Sequence, residues 1–281
     1  MLKRSLLILG ITTILFQNFL FYSQDGNEKN VKKKVPLMFI DYSKVRDTLY
    51  TLKSSYIEVN LKKQLGILHI KNDTSFTFKI SSGTKRLEKG IDTNEGLYVI
   101  QSMVTKIPSK QFDSTILLNW MGFNFGVGFH ALESSGYYRY LGVKPSSHGC
   151  IRISKNDAKE LYTIISLGTP VLIHSENNAV SIAFADSADD IKRYKYSQLK
   201  SLLKFNMDLL YRGDYLFAEK DKMIIDNNNV HHSGLPIGDN TKIPDKPSFN
   251  SLFRYIEVST PDILKVKLLP IKKSNFKNLI K

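Results

Sequence analysis

The chain has 281 residues, enough for one sizeable domain with an appendage or for two modest domains. Its 40 Lys and Arg residues outnumber its 26 Asp and Glu residues, and the formal net charge of +14 favours an acidic partner such as an anionic wall polymer or lipid headgroups. A nucleic-acid partner is disfavoured, because the lysines are scattered and no familiar nucleic-acid module accompanies them.

The N-terminus has the pattern of an export signal. Lys3 and Arg4 precede an almost uninterrupted apolar run over residues 6–22. The residues that follow are bulky where a signal peptidase requires small side chains, so the pattern fits a cleaved signal peptide and a retained membrane anchor equally well. We therefore predict that residues 1–24 are a signal peptide or membrane anchor, and that the protein is exported to the periplasm or cell envelope.

Residues 25–55 are interpreted as a tether followed by a short helical segment. Residues 25–34 are polar and charged and include a lysine triplet, which is typical of a linker. The mixed pattern over residues 45–52 predicts one short helix.

Residues 56–175 show the clearest secondary-structure pattern. Alternating apolar and polar side chains, separated by turn residues, predict strands over residues 56–61, 65–70, 75–80 and 96–100. After residue 150 the period changes: Ser154 is placed to cap a helix that Gly168 ends, and a strand follows over residues 171–174. The expected fold class is mainly β with α elements (α+β).

Residues 176–281 are predicted to form a C-terminal α/β extension of unknown role. Apolar side chains at helical spacing within residues 189–211, followed by Gly213, indicate an amphipathic helix. A polar loop over residues 226–247 and one or two strands within residues 252–269 complete it. His231 and His232 have no acidic or thiol neighbours at a metal-site spacing, so no metal is expected there.

The one cysteine, Cys150, is the leading candidate for chemistry, because a single cysteine in an exported chain has no intramolecular disulfide partner. A thiol becomes a strong nucleophile beside a base. His148 would share a strand face with Cys150, while His130 ends the glycine-rich segment 122–129 and could be brought close by folding. The alternative is a buried, inert cysteine.

The residues around Cys150 resemble a known family. His130, then residues 131–146, then Ser147-His148-Gly149-Cys150-Ile151-Arg152 is similar to the signature of the L,D-transpeptidase catalytic domain (YkuD-type). Ordered blocks on both sides extend the resemblance from residue 56 to residue 174. The resemblance implies a β-rich sandwich of mixed sheets, with one helix after the cysteine.

The resemblance also implies a reaction. Cys150 would attack the third residue of a peptidoglycan stem tetrapeptide and release the terminal D-alanine, with His130 as general base. His148, Gly149, Ser147 and Arg152 would support the site, and the backbone N–H groups of residues 148–150 would line an oxyanion hole. No metal or organic cofactor is implied. The partners would be peptidoglycan stem peptides, with possible membrane association through the N-terminal segment and no nucleic acid.

Two features depart from the family pattern or lie outside it. Ala131 and Leu132 follow His130 where the family often has Gly-Thr, so the group that orients the imidazole is not evident, and a backbone carbonyl is one option. The loop of residues 134–144 is expected over the cleft, where Tyr137, Tyr138 and Arg139 would either contact substrate or form a packed aromatic loop.

Three functions follow from these patterns. The first is a transpeptidase that forms cross-links or attaches a protein to the wall. The second is an L,D-carboxypeptidase or amide hydrolase on the same scaffold, in which water resolves the thioester. The third is a catalytically silent wall-binding protein.

Overall fold

The computed structural model describes residues 45–109, 115–134, 136–175, 178–187, 191–235 and 237, together with three separate strands at residues 32–36, 255–259 and 266–269. The predicted signal or anchor, residues 1–24, lies outside the described residues. Within the described part of the chain, no helix is both long and apolar enough to cross a membrane.

The described strands, in chain order, are β1 (Lys32–Pro36), β2 (Asp47–Thr51), β3 (Ser55–Asn60), β4 (Leu65–Ile70), β5 (Phe76–Lys79), β6 (Gly96–Val99), β7 (Ser102–Pro108), β8 (Ile116–Asn124), β9 (Val127–Leu132), β10 (Ile151–Arg152), β11 (Pro170–His174), β12 (Val180–Phe184), β13 (Ile191–Lys192), β14 (Lys222–Ile224), β15 (Tyr255–Ser259) and β16 (Val266–Leu269). The described α-helices are α1 (Lys155–Ile164) and α2 (Tyr196–Arg212). Single 3-10 turns lie at Tyr138–Tyr140 and Tyr215–Phe217.

Two sheets and helix α1 enclose the first hydrophobic core. The central sheet has the order β5-β4-β3-β11-β6, in which β11 runs parallel to β3 and antiparallel to β6. The second sheet has the order β10-β9-β8-β7, with β10 parallel to β9 and the other pairs antiparallel. Both sheets are therefore mixed. Their facing side chains form one buried cluster, which includes Ile57, Val59, Phe78, Phe123, Phe129, Ile151, Leu161 and Val171.

The central sheet is covered on its other face as well. A third sheet, of order β12-β2-β14-β13 and parallel throughout, packs there with helix α2 around a second core. Alternate residues of β6 illustrate this arrangement, because Leu97 and Val99 belong to the second core whereas Tyr98 belongs to the first. The predicted mainly β fold of mixed sheets is confirmed, and the central sheet is buried on both faces.

The helix predicted over residues 45–52 is wrong, since this segment contains strand β2. Asp47, Leu49 and Thr51 are buried on one face while the residues between them are half-buried, which is the period of a strand. The partners of β2 are β12 and β14, both far downstream, so a local pattern could not reveal the pairing. Asp47 accepts hydrogen bonds from Asn206 Nδ2 and Tyr215 Oη, which tie β2 to the extension.

Other local predictions hold, with shifted ends. Strands β3 and β4 confirm the predicted hairpin, and Ser154 Oγ caps α1 by accepting the N–H of Asp157 at 3.0 Å. Helix α1 ends at Ile164, earlier than expected, and Gly168 lies in the following turn at φ 83°. Gly213 ends α2 in the left-handed conformation, as predicted.

The ends of the chain contribute one further sheet. Strand β1, at the end of the predicted tether, pairs antiparallel with β15, and β15 pairs antiparallel with β16. Residues 32–36 are therefore a strand rather than a tether. Strands β15 and β16 confirm the strands predicted within residues 252–269.

Candidate active site

Strand pairing places Arg152, two residues after Cys150, beside His130 in the second sheet. In the parallel β10–β9 pair, Ile151 lies opposite Phe129 and Arg152 opposite His130. Ile151 and Phe129 point into the first core, so Arg152 and His130 point to the other face. Cys150 directly precedes Ile151, in the bend that leads into β10. The charge of Arg152 acts on both His130 and Cys150, so the structure brings the predicted base and the predicted nucleophile each within reach of this cation.

His130 is oriented by a backbone carbonyl. Its side chain is buried, with Nδ1 3.1 Å from the carbonyl oxygen of Ala131 and the ring stacked on Trp120 at 6.1 Å between centroids. The carbonyl can only accept, so Nδ1 carries the proton and Nε2 keeps its lone pair. Burial lowers the pKa of His130 to about 4; the hydrogen bond to Ala131 opposes this shift, and the charge of Arg152 adds a smaller lowering. The imidazole is therefore neutral at neutral pH and can accept a proton.

Cys150 rests as a thiol. It is half-buried, and Sγ donates a hydrogen bond to the carbonyl oxygen of Gly126 at 3.7 Å. Burial raises the pKa of the thiol above its usual value, although the backbone of Gly128 and the positive charge of Arg152 act in the opposite direction. A base is therefore needed before this sulfur can act as a nucleophile at neutral pH.

Arg152 provides the positive charge of the site. Its guanidinium is buried, and Nη1 donates to the carbonyl oxygen of Ser146 at 2.7 Å and contacts Ser146 Oγ at 3.4 Å. The guanidinium carbon lies 4.3 Å from the centroid of the exposed Tyr137 ring. Burial lowers the pKa of Arg152, but an arginine remains charged at physiological pH. This charge favours the thiolate form of the neighbouring sulfur.

The turn before Cys150 is held by close backbone packing. Gly149 has φ 142°, and a Cβ there would lie 2.8 Å from Ile91 Cγ1. A Cβ on Gly83 would lie 2.5 Å from the Cα of Gly149. Thr93 Oγ1 joins the two glycines, because it accepts the Gly83 N–H at 2.8 Å and donates to the Gly149 carbonyl at 2.7 Å. These contacts explain why small residues are needed here.

One of the expected oxyanion donors is engaged inside this turn. The N–H of Gly149 donates to Ser147 Oγ at 3.1 Å, and Ser147 Oγ in turn donates to the carbonyl oxygen of Cys150. Ser147 is therefore a scaffold for the turn. His148 is half-buried, and its carbonyl accepts the N–H of Ile91 at 3.3 Å.

The loop after β9 reaches the site through one tyrosine. Tyr137 lies against Arg152, as described above. Tyr138 has a structural role instead, because its hydroxyl donates to the Leu132 carbonyl at 2.6 Å and accepts the Leu132 N–H at 3.0 Å. Arg139 Nη2 donates to the hydroxyl of Tyr140 at 2.7 Å. The loop thus combines one residue beside the site with a packed aromatic segment.

Sequence reasoning assigned no site role to three residues that shape the site. Trp120 stacks against the ring of His130, and Gly83 and Thr93 brace Gly149. Their only signal was their position within the ordered blocks flanking the cysteine motif. Within the described residues, no group of three or more His, Cys, Asp or Glu side chains could hold a metal ion.

Comparison with known proteins agrees with the motif. Residues 54–173 match the family model of the YkuD L,D-transpeptidase catalytic domain. This match confirms the resemblance drawn from the sequence for this part of the chain. No curated protein matches the chain.

Several solved structures are similar to part of the chain. An L,D-transpeptidase from Mycobacterium smegmatis is 14% identical, with 43% of this chain and 59% of that chain covered and a TM-score of 0.38. An L,D-transpeptidase from Stackebrandtia nassauensis is 24% identical, with coverages of 44% and 56% and a TM-score of 0.37. An L,D-transpeptidase from Xylanimonas cellulosilytica is 20% identical, with coverages of 43% and 61% and a TM-score of 0.36. The chain spans less than two thirds of each of these structures.

Proposed function

We propose that this protein is an exported cysteine L,D-transpeptidase that acts on peptidoglycan stem peptides through a thioester on Cys150. The observation that supports the proposal is the pairing of Arg152 with His130 across β10 and β9, with the charge of Arg152 acting on both a neutral imidazole and the neutral Cys150 thiol. The match of residues 54–173 to the catalytic-domain family supports the same reaction class.

The proposed reaction has two halves. In the first, His130 Nε2 takes the thiol proton as Sγ attacks the carbonyl carbon of the third stem residue. The bond from that carbon to the nitrogen of the terminal D-alanine breaks, and the imidazolium returns the proton to the departing amine. In the second half, an acceptor amine gives a proton to His130 as it attacks the thioester, and Sγ leaves and regains a proton.

The residues around Sγ have separate roles in this scheme. Arg152 stabilises the negative charge that develops on the sulfur. The carbonyl of Ala131 keeps the proton on Nδ1, so that Nε2 is the reacting nitrogen. Ser147 and Thr93 hold the turn that presents the thiol, which reduces the loss of freedom on reaching the reactive geometry.

Hydrolysis is a second candidate, and one observation favours it. A Cβ built on Gly126, the residue whose carbonyl contacts Sγ, meets nothing within 4 Å, so there is open space on the turn that contacts the sulfur. Water as well as an amine can enter such a space. The protein would then be an L,D-carboxypeptidase or amide hydrolase on the same scaffold.

The location and partners belong to the same proposal. The charged and apolar pattern of residues 1–24 supports export to the periplasm or cell envelope, with membrane association if the segment is retained. The net charge of +14 suits an anionic wall. A fusion of residues 1–24 to a reporter that is active only outside the cytoplasm tests export, and an inactive but stable reporter would contradict it.

The test of the reaction is mass spectrometry of the full chain incubated with a tetrapeptide stem that ends in D-alanine. We expect release of free D-alanine and a tripeptidyl adduct on Cys150. An added amine should give cross-linked product, whereas accumulation of the free tripeptide would favour the hydrolase. The Cys150→Ala variant serves as the control and should show neither adduct nor release. A folded wild-type protein that leaves the peptide intact would support the silent wall-binding protein instead.

A further inference from the structure

A large aromatic side chain stands exposed at the tip of the hairpin that contacts Sγ. Phe125 and Gly126 form the two-residue turn between β8 and β9, and the Phe125 side chain is 71% exposed. Its φ is 47°, a conformation that a bulky residue rarely adopts and that Asn or Gly occupies at less cost. An exposed apolar ring held in a strained turn next to a nucleophile indicates a functional role.

The C-terminal extension places a second ring against Phe125. The rings of Phe125 and His232 are 6.1 Å apart and tilted by 40°. His232 Nδ1 is also hydrogen-bonded to the side chain of Gln101, which itself donates to the carbonyl of Phe123 at 2.8 Å. We call the pair of Phe125 and His232 the aromatic notch.

The segment that carries His232 is firmly attached to the central sheet. Leu235 and Leu97 exchange two backbone hydrogen bonds, of 2.8 and 2.9 Å. Tyr196 Oη, on helix α2, donates to the carbonyl of Gly234 at 3.0 Å. His231 packs between Tyr196 and His232, with ring distances of 5.3 and 5.4 Å. These contacts of the extension therefore hold His232 in place in the notch.

We propose that the aromatic notch binds a sugar ring of the glycan that carries the stem peptide. A pyranose ring offers a flat face of C–H groups to an aromatic ring and hydroxyl groups to a hydrogen-bonding neighbour. Phe125 provides the apolar face, and the exposed His232 provides ring nitrogen at its side. This inference rests on the proposed function, and it identifies the sugar as a part of the substrate that the extension helps to recognise.

The notch lies at the turn of the hairpin that contacts Sγ. The attacked carbonyl belongs to the third stem residue, so two to three extended residues, or about 7–11 Å, separate it from the sugar. Phe125 directly precedes Gly126, whose carbonyl oxygen lies 3.7 Å from Sγ, and the ring centroid of His232 is 6.1 Å from that of Phe125. The open space at Gly126 leaves room for the peptide between the two points.

Binding measurements on the inactive full-length Cys150→Ala protein test the inference without requiring turnover. Titration calorimetry would compare a disaccharide tetrapeptide with the same tetrapeptide lacking sugar. We expect tighter binding of the sugar-bearing ligand. Adding Phe125→Asn should weaken its binding roughly tenfold, the size of one aromatic contact, and leave the affinity for the sugar-free peptide unchanged.

Phe125→Asn also separates a binding role from a structural one. Asn tolerates positive φ better than Phe, so the melting temperature should stay the same or rise while the affinity for the sugar falls. His232→Ala should weaken the same ligand. Phe205→Ala is the matched control, because Phe205 is an exposed phenylalanine, 55% accessible, on helix α2, and its removal should change neither affinity.

Three outcomes would overturn the inference: equal affinity for the two ligands, an equal loss for both in Phe125→Asn, or no effect of the notch variants. Absence of binding by either ligand would overturn it as well. Each of these can occur while the wild-type enzyme still forms an adduct with the sugar-free tetrapeptide. Adduct formation therefore tests the proposed function, and the binding measurements test the notch, independently of each other.

Discussion

His130 and Cys150 are both neutral at rest, because burial acts on an acid and a base in opposite directions. It lowers the pKa of the imidazole to about 4 and raises the pKa of the thiol. The site therefore differs from an ion pair of thiolate and imidazolium formed in advance. The proposed reaction requires instead that the thiol proton pass to His130 during attack.

This protonation state predicts where activity is lost in acid. A general base must be unprotonated, so kcat/KM for acyl-enzyme formation should fall as the pH drops through about 4 and stay level from there to neutral pH. With an unperturbed histidine, kcat/KM would instead begin to fall near pH 6.5, which would be the acid limb of the pH profile. The measurement is the rate of adduct formation from about pH 3 to pH 8, with circular dichroism as a check on folding at each pH. A limb near 6.5 in folded protein would contradict the buried, neutral His130.

A second residue-level prediction concerns the charge of Arg152. That charge lowers the pKa of both Cys150 and His130, so Arg152→Gln should raise both. The acid limb should move to higher pH, and alkylation of the thiol at a fixed pH should slow. Arg152→Lys is the control, because it keeps the charge while losing the planar contacts to Ser146 and Tyr137. If the two variants shift the limb equally, packing rather than charge sets these pKa values.

The identity of the reacting pair could be predicted from the sequence, but its surroundings could not. The sequence alone shows that an export-type chain has a single cysteine, and it shows the spacing from His130 to Cys150. The carbonyl that orients His130, the stacking of Trp120 and the bridge made by Thr93 depend on contacts between distant segments. Such contacts cannot be predicted from the local composition of either segment.

At the scale of the elements, the position of the turn before Cys150 depends on a neighbouring segment. Gly83 contacts it so closely that a Cβ on Gly83 would lie 2.5 Å from both the Gly149 Cα and the Ile91 carbonyl oxygen. These are backbone atoms, which cannot move aside by changing rotamer.

We therefore predict that Gly83→Ala moves the turn and reduces both stability and activity. The free energy of unfolding should fall by about 1–3 kcal/mol, as is typical of overpacking. The rate of adduct formation should fall as well, because the thiol is displaced. Gly136→Ala is the control for stability, since a Cβ there meets nothing within 4 Å. Denaturant unfolding of the two variants checks the difference, and equal stability would show that the turn can relax without cost.

Elements built from local contacts were predicted well, and elements built from distant contacts were not. The β3–β4 hairpin and the start of α1 at Ser154 follow from a short turn and a capping side chain. Strand β2 was predicted to be helical, because its short sequence has no neighbouring strand in the chain to pair with. Its buried alternation is explained only once β12 and β14 lie beside it.

At the scale of the molecule, the central sheet joins the catalytic half to the extension. One face packs under the sheet that carries His130, and the other packs against helix α2 and the third sheet. The sequence predicted an α/β extension but gave no information on where it docks. The structure shows that its residues 231–235 return to the catalytic hairpin, so that removal of the extension would affect the active-site rim as well as stability.

A half-buried cluster of one glutamate and two histidines, on the extension side of the central sheet, provides the last prediction. Glu58 on β3 accepts from His174 Nε2 on β11 at 2.9 Å and from His69 Nε2 on β4 at 3.3 Å. These two bonds, chiefly the one to His174, lower the pKa of Glu58 to about 2 from its usual 4.5. Because the pKa is lower in the folded state, the ionised carboxylate stabilises the fold above pH 4.5, and this stabilisation is lost as the pH falls towards 2.

Glu58→Gln should therefore destabilise the protein most at neutral pH. The amide can accept from only one histidine, and its NH₂ group faces the other donor. We therefore expect the free energy of unfolding to fall by about 1–2 kcal/mol at pH 7. This is less than the full pKa shift of Glu58 implies, because Glu58 is partly exposed. The difference from wild type should shrink steadily below pH 4.5. Glu133→Gln, which breaks an exposed pair with Lys106 at 3.0 Å, is the matched control and should change stability little at any pH. Denaturant unfolding at several pH values measures both, and a Glu58→Gln deficit that stays constant down to about pH 2 would show that the carboxylate charge contributes nothing to holding the three strands together.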